Sequence, residues 1–434
     1  MEYSIPKGLF DIVPESEETW RLSDRWQHIE GVARALARDY GFLELRTPIF
    51  ERSELFIRSV GESSDIVSKE MYTFLDKGER SMTLRPEGTA PAMRAFIEEG
   101  MHQKPLCHKL FYIGPMFRYE RPQAGRFRQH HQFGVEAIGI SNYTQDVEVI
   151  DMLCEFYRRL GISKLEVLVN TVGTPLCRER YTQALRGYLE PLTDHLSADS
   201  KVRLHKNPLR ILDSKDPEDQ KVLESAPKLF DSLCDAAKEH FHQVCTLLQS
   251  LGIPIHISPK LVRGLDYYNG TVFEIVSTAL GAQNTMGAGG RYDGLIKMLG
   301  GPDLPSFGCA TGLERVLQVM NAQAIGFPQP PAPLAFFIGL GSTATNACFS
   351  LLSQLRHLGI TAEMDLSGKK IQHGLKKAHL MKATFAIIIG EEELAQNKVQ
   401  IKTMATQETQ LLSMEEVRDK LLCLAHTPID RNVS

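Results

Sequence analysis

The 434-residue sequence has no CxxC pair. Its eight cysteines stand singly, at 107, 154, 177, 234, 245, 309, 348 and 423. Zinc sites and disulfide frameworks draw on patterned cysteines, so neither is expected, and a reducing compartment is. Long apolar runs are also missing. The opening MEYSIPKGLFDIVPESEE lacks the apolar core of a signal peptide, and AFFIGLG and ATFAIIIG fall far short of a bilayer span. No membrane partner is expected, and the cytoplasm is the expected location. No GxxxxGK[ST] element occurs, so a bound nucleotide must have its phosphates neutralised in another way. A basic excess is lacking too. The net charge of -4 excludes a whole-protein basic footprint but permits a local basic face.

Apolar residues make up 43% and charged residues 24%, an ordinary globular mixture, and the length calls for two or three domains. Residues 16 to 40 form a helix candidate, with Trp20, Trp26, Ile29, Leu36 and Tyr40 near the helical period. FLELRTPIF reads as a strand running into Pro48. YTFLDK and SMTLR pair around Lys77-Gly78, and Thr89 is placed to cap the following helix. LFYIGPMFRYE and HQFGVEAIG are strands flanking a polar loop, and residues 144 to 160 form an amphipathic helix. From 174 to 255 the chain turns helix-rich and charged, which reads as an inserted domain with PLRILDSKDPEDQ as a connecting loop. Strand character returns in IPIHISPKLVRGLDYY and VFEIVST. GAGGRYDGL reads as a glycine-rich turn, and GCATGLERVLQVM opens a helix. FPQPPAP, residues 327 to 333, is a proline-rich linker. Beyond it, strands and helices alternate as in a compact α/β domain.

Arginines and carboxylates concentrate at strand ends. TLRPEGT holds Arg85, Glu87 and Thr89. FRYERPQAGRFRQHHQFGVE holds Arg118, Glu120, Arg121, Gln123, Arg126, Gln132 and Glu136. RGLDYYNGTVFE holds Arg263, Tyr267 and Tyr268, and GLERV holds Glu314 and Arg315. An arginine cannot shed its charge, so each buried one needs an anion. The bland reading is a set of internal Arg–Glu pairs and, for RGLDYYNGTVFE, a surface hairpin with an ion pair. It weakens with three arginines on separate elements. The alternative is a nucleotide, with Arg118 on an α-phosphate, Arg315 on an outer one, and carboxylates carrying Mg²⁺ that arrives with the nucleotide. Glu87, Thr89 and Gln132 suit an ammonium group. Glu136, Tyr267 and Tyr268 suit a ring that both donates and accepts, as neutral imidazole does.

These segments resemble the histidyl-tRNA synthetases of bacterial type, a family of class II aminoacyl-tRNA synthetases, over nearly the whole chain. RTPIFE resembles the first class II motif, which builds a dimer interface. FRYERPQAGRFRQHHQFGVE resembles the second motif and GLERV the third. RGLDYYNGTVFE and AGGRYDGL resemble the two signatures of histidine enzymes. The resemblance implies an α+β catalytic core, an antiparallel sheet flanked by helices, spanning 1–173 and 256–326. A helical insertion would occupy 174–255, an α/β anticodon-binding domain 334–425, and a tail 426–434. It implies a homodimer that joins L-histidine to histidine tRNA with ATP. Arg118, Glu120, Arg126 and Arg315 would bind ATP, and Arg263 would face the histidine carboxylate and the α-phosphate. Glu87, Thr89 and Gln132 would hold the amino group. Glu136 and Tyr268 would read the imidazole, with Tyr267 and Tyr292 closing the pocket. Arg121, Gln123, Lys376 and Lys377 would face tRNA, although a solvated helix face is the ordinary reading of such lysines. A regulatory paralogue of histidine biosynthesis would lack the anticodon domain, and a non-catalytic scaffold would lose the buried arginines.

Overall fold

The computed structural model describes residues 3–61, 64–104, 107–120, 126–278, 284–330, 332–368 and 370–426. The chain divides into two compact units, Met1–Phe327 and Pro328–Ser434. Among the described residues no helix is long and apolar enough to cross a membrane.

Among the described residues the first unit contains eleven strands: β1 Leu43–Glu44, β2 Phe50–Arg52, β3 Tyr72–Leu75, β4 Ser81–Leu84, β5 His108–Phe117, β6 Gln129–Ile138, β7 Leu165–Thr171, β8 Ile255–Ile257, β9 Asn269–Ser277, β10 Thr285–Arg291 and β11 Ser306–Gly312. Eight of them make one sheet in the order β1-β5-β6-β11-β10-β9-β7-β8. Its pairings are antiparallel except at the two edges, where β1 joins β5 and β8 joins β7 in parallel. A small antiparallel sheet, β2-β4-β3, stands apart.

Alternation along these strands sorts the side chains. Phe111, Phe133, Val135, Ala137, Phe273, Ile275 and Phe307 enter one core cluster. Helices Ser23–Asp39, Tyr143–Arg159 and Asp235–Ser250 press Trp26, Ile150 and Val244 onto that side of the sheet. At about 25 cal/mol per Å² of apolar area, a core of this size dominates the stability of the unit. Helices between residues 175 and 223 pack separately, through Tyr181, Leu185, Leu204 and Leu223, in a cluster that also holds Tyr267, Tyr268 and Tyr292.

Several local expectations need correction. PLRILDSKDPEDQ is no plain loop but a 3-10 helix, Pro208–Asp213, followed by the start of helix Pro217–Leu223. The first helix starts at Ser23 rather than residue 16, with a 3-10 turn at Thr19–Arg21 before it. Trp20 is drawn out of the helix by its ring contacts with Phe10 and Phe127, at 4.8 and 5.2 Å. In IPIHISPKLVRGLDYY only Ile255–Ile257 is strand, and Arg263 to Tyr268 form a loop. GAGGR is strand β10 rather than a turn. Its glycines allow close strand approach: a Cβ on Gly289 would sit 2.2 Å from the Gly308 carbonyl oxygen.

The second unit holds the five-stranded sheet β13-β12-β14-β15-β16, with β12 Ala335–Gly339, β13 Ala362–Met364, β14 Phe385–Ile389, β15 Lys398–Thr403 and β16 Thr409–Ser413. β13 and β14 flank β12 in parallel, and β15 and β16 continue antiparallel. Parallel neighbours need crossovers, which helices Ser342–His357 and Ile371–Leu380 supply.

Candidate active site

The second face of the large sheet carries the side chains singled out in the sequence. Gln132, Gly134 and Glu136 alternate along β6 and so share this face. Residues directly opposite on neighbouring strands share it too. One cross-strand row runs Tyr112, Gly134, Ala310, Ala288, Glu274. The next runs Leu110, Glu136, Gly308, Gly290, Val272. Small residues in mid-sheet leave a hollow, with Tyr112 and Glu274 at the two ends of the first row.

A cavity of about 310 Å³ opens over this hollow. Arg118, Arg263 and Arg315, from three separate elements, line it together with Glu120, Arg126, Gln132 and Glu274. Arg118 Nε donates to the Pro86 carbonyl at 2.8 Å. Arg126 pairs with Glu120 at 3.0 Å. Arg315 donates to the Thr285 carbonyl. Arg263 pairs with Glu274, and its guanidinium lies 5.8 Å from the Tyr268 ring centroid. The internal ion pair expected for a plain hairpin therefore exists, but it faces a polar cavity. Arg263 Nε is buried and has no hydrogen-bond partner among the described residues. Burial and the charge of Arg118 hold His130 well below its usual range, so this cavity-lining ring is neutral.

Deeper in the same face lies a buried polar pocket. Glu136 is fully buried. Tyr292 donates to its Oε2, and Tyr112 donates to its Oε1 at 3.3 Å. Burial pushes the Glu136 carboxyl up to about 8, against the pull of hydrogen bonds from Tyr292, Thr89 and Tyr112. Glu87 accepts from the Thr89 and Ala90 N–H groups at 2.7 and 2.8 Å. Glu87, not Thr89, therefore caps helix Thr89–Glu98, where the helix dipole favours an anion. The rings of Tyr267 and Tyr268 lie 4.7 Å apart, and those of Tyr267 and Tyr292 5.6 Å apart.

Absent side chains make room for this pocket. A Cβ on Gly134 or Gly88 would fall 2.3 Å from the Tyr112 ring. On Gly308 it would fall 2.1 Å from Glu136 Oε2.

Arg121 and Gln123 lie outside the described residues. In the second unit, Lys376 is exposed on helix Ile371–Leu380. Lys377 is paired with Asp365 at 2.8 Å. Burial raises the Asp365 carboxyl, but hydrogen bonds from Lys377 and Ser367 bring it down to about 2.

A family model described as Histidyl-tRNA synthetase matches residues 20–316, and one described as Anticodon binding domain matches residues 335–424. The chain belongs to the histidyl-tRNA synthetase family. It is 52% identical over 422 residues to the histidine–tRNA ligase of Protochlamydia amoebophila, covering 97% of this chain and 100% of that one. It is 45% identical to that of Chlamydia felis, covering 97% of this chain and 98% of the relative. The crystal structure of apo S. aureus histidyl-tRNA synthetase matches with a TM-score of 0.82 at 38% identity, covering 96% of this chain and 99% of that one. An ATP phosphoribosyltransferase regulatory subunit/histidyl-tRNA synthetase from Bacillus halodurans C shares the fold, with a TM-score of 0.64 at 20% identity, over 90% of this chain and 99% of that one.

The α+β core with its antiparallel sheet, and the α/β anticodon-binding domain, are those of a histidyl-tRNA synthetase. The chain is an ATP-dependent ligase that activates histidine and transfers it to tRNA. Several neighbours of the expected site residues had no clear signal in the sequence. Tyr112 reads as one more apolar residue of a strand, and Gly134 and Gly308 as ordinary strand glycines. Glu274 sits within RGLDYYNGTVFE, but only its cross-strand place opposite Ala288 brings it to the cavity. Arg85 proves structural: it donates to the carbonyls of Pro115 and Thr47, at 2.9 and 3.0 Å.

Proposed function

We propose that the arginine-lined cavity takes ATP and the buried pocket beside it takes L-histidine. A histidine carboxylate oxygen attacks the α-phosphorus, the bond to the bridging oxygen breaks, and pyrophosphate leaves. The 3′-terminal adenosine hydroxyl of the tRNA then attacks the anhydride carbonyl, and AMP leaves. Arg118 and Arg263 stabilise charge on the α-phosphate oxygens, and Arg315 with Arg126 holds the outer phosphates. Fixed donors of this kind favour the transition state because they need no reorganisation. Glu120 orients Arg126. The unpartnered Nε of Arg263 supports its role, being a donor still in need of an acceptor.

Glu87, Thr89 and Gln132 take the histidine ammonium group. A carboxylate has about four acceptor sites, and the helix start engages only part of the Glu87 capacity. Glu136 accepts the imidazole N–H and Tyr268 donates to the other ring nitrogen. Tyr292 orients Glu136, and Tyr267 closes the pocket.

Mg²⁺ fits as a companion of the nucleotide. Among the described residues no group of three or more His, Cys, Asp or Glu is placed to hold a metal. Glu120 and Glu274 line the cavity, and an ion carried by phosphates needs only one or two carboxylates. Bound there, it would neutralise phosphate charge.

We assign a homodimer on the exposed apolar residues Leu43, Ile49, Phe50, Phe74 and Leu75 of β1, β2, β3 and the segment between β1 and β2. Their replacement by aspartate, Phe50→Asp with Leu75→Asp, should halve the mass seen in sedimentation. We place the reaction in the cytoplasm, where ATP and tRNA meet. For tRNA we retain Lys376 as a phosphate contact and read Lys377 as its neighbour's support through Asp365.

The observation that carries the reading is the convergence of Arg118, Arg263 and Arg315 on one cavity. Histidine-dependent ATP–pyrophosphate exchange tests it. Each single alanine variant should lose exchange while keeping the folded circular-dichroism spectrum. Normal exchange in any one of them removes that arginine from the chemistry.

A further inference from the structure

Arg263, Tyr267 and Tyr268 sit on a segment that belongs to no strand. A loop that must hold a guanidinium and two phenol rings in place needs anchors from outside. Three come from the helical insert. Arg178, on helix Pro175–Leu189, donates through Nη1 to the Asp266 carbonyl at 2.7 Å and to the Tyr268 carbonyl at 3.3 Å. Asn207 ends helix Ala198–Lys206 and donates to Asp266 Oδ1 at 2.8 Å. Arg210 donates to the Gly264 carbonyl and lies 3.6 Å from Asp266 Oδ1.

The other side of Asp266 is fixed to the core. Its N–H donates to the Val60 carbonyl at 3.3 Å. Its Oδ2 lies 2.2 Å from where a Cβ on Gly61 would stand. Asp266 is thus gripped by the core on one side and by the insert on the other, within three residues of both Arg263 and Tyr268. None of the three anchors lines the arginine cavity, and the space they share with Arg263 and Tyr268 is only about 20 Å³, so each acts through the loop.

We propose that the helical insert is a positioning element for activation: Arg178, Asn207 and Arg210 hold the loop from Arg263 to Tyr268 in its working geometry. A displacement of the insert is then transmitted to the guanidinium of Arg263 and the ring of Tyr268. The proposal rests on the roles assigned above to these two residues.

The test is ATP–pyrophosphate exchange by the full-length protein, with histidine and ATP varied separately. Arg178→Met and Asn207→Ala should each lower kcat/KM for histidine by roughly tenfold, the scale of one lost hydrogen bond, through KM where Tyr268 is displaced and through kcat where Arg263 is. The KM for ATP should stay at the wild-type value, and the melting temperature should fall by no more than one lost hydrogen bond explains. Arg178→Lys, which keeps a donor near both carbonyls, should recover most of the loss. Unchanged kcat and unchanged histidine KM in both variants overturn the proposal. So does a fall in melting temperature with every kinetic constant altered alike, which marks a merely structural role. Arg263→Ala, measured alongside, separates the two ideas. Slow exchange there, with normal kinetics in the anchor variants, removes the anchoring and leaves the site reading intact. Normal exchange in Arg263→Ala removes both.

Discussion

Tyr292 donates its hydroxyl proton to Glu136 Oε2 in a space that exists because residue 308 is glycine. An added methyl at 308 would meet the Glu136 carboxyl at 2.1 Å and the Val135 carbonyl oxygen at 2.6 Å. The backbone contact cannot be relieved by rotating a side chain. Gly308→Ala should destabilise the protein by about 1–3 kcal/mol, as overpacking does, and raise the histidine KM. Thermal unfolding and exchange kinetics at saturating ATP report the two effects. A variant with native stability and native histidine KM would contradict this geometry.

Histidine binding should release a proton. The Glu136 carboxyl, raised to about 8, is protonated in the empty pocket at pH 7. The proposed role of Glu136, accepting an imidazole N–H, requires the carboxylate. The proton must therefore leave as histidine enters, and histidine affinity should rise about tenfold per pH unit from about 6.5, where free imidazole becomes neutral, to about 8. Above 8 the carboxylate is already formed and the dependence should flatten. Calorimetry at pH 7 in buffers of different ionisation enthalpy counts the protons. Release of none means that the pocket keeps its proton and pairs with the ring in the opposite polarity.

Arg263→Ala should slow adenylate formation by roughly 10²–10³-fold, the usual effect of removing a transition-state donor, with a smaller change in histidine KM. Its partner offers a control. Glu274→Gln removes the charge that Arg263 pairs with but leaves the guanidinium, so exchange should suffer less. A pure KM effect in Arg263→Ala would assign the residue to ground-state binding.

The two neighbouring lysines of the second unit should separate. Lys376→Ala should lower the salt slope of tRNA binding by about one and leave stability alone. Lys377→Ala should cost stability instead, below about 1 kcal/mol because the lysine is 40% exposed. Asp365 titrates at about 2 in the folded chain, below its usual 3.8. A lowered carboxyl stabilises above its unfolded value, and that stability is lost as pH falls through 2. Losing Lys377 should move the acid loss up toward the unfolded value. Acid titration of unfolding in both variants checks this.

The strands β5, β6 and β7 were legible because alternation and bounding turns are local. Glu136 and Gln132 stood out because carboxylates and amides are costly on a core strand. The strand character of GAGGR was hidden because glycine ordinarily punctuates. What makes it a strand is pairing with β9 on one side and β11 on the other, which no local pattern encodes. Trp20 fitted a helical period and was claimed by Phe10 and Phe127 instead. The Lys377–Asp365 pair joins residues on different elements, and the anchors of the loop at Asp266 come from as far away as Arg178. Contacts of this sort are set by topology and become visible only with it.

The three glycines around the tyrosine–glutamate pocket bear on how adaptable it is. Room created by a missing side chain cannot be widened by choosing a different rotamer, because nothing is left to rotate. Saturation libraries at positions 88, 134 and 308 should return almost only the parent residue. Attempts to admit bulkier amino acids will have to trim Tyr112, Tyr267 or Tyr268, each of which also gives up a hydroxyl or a ring contact. The pocket is thus selective by construction and poorly suited to gradual redesign.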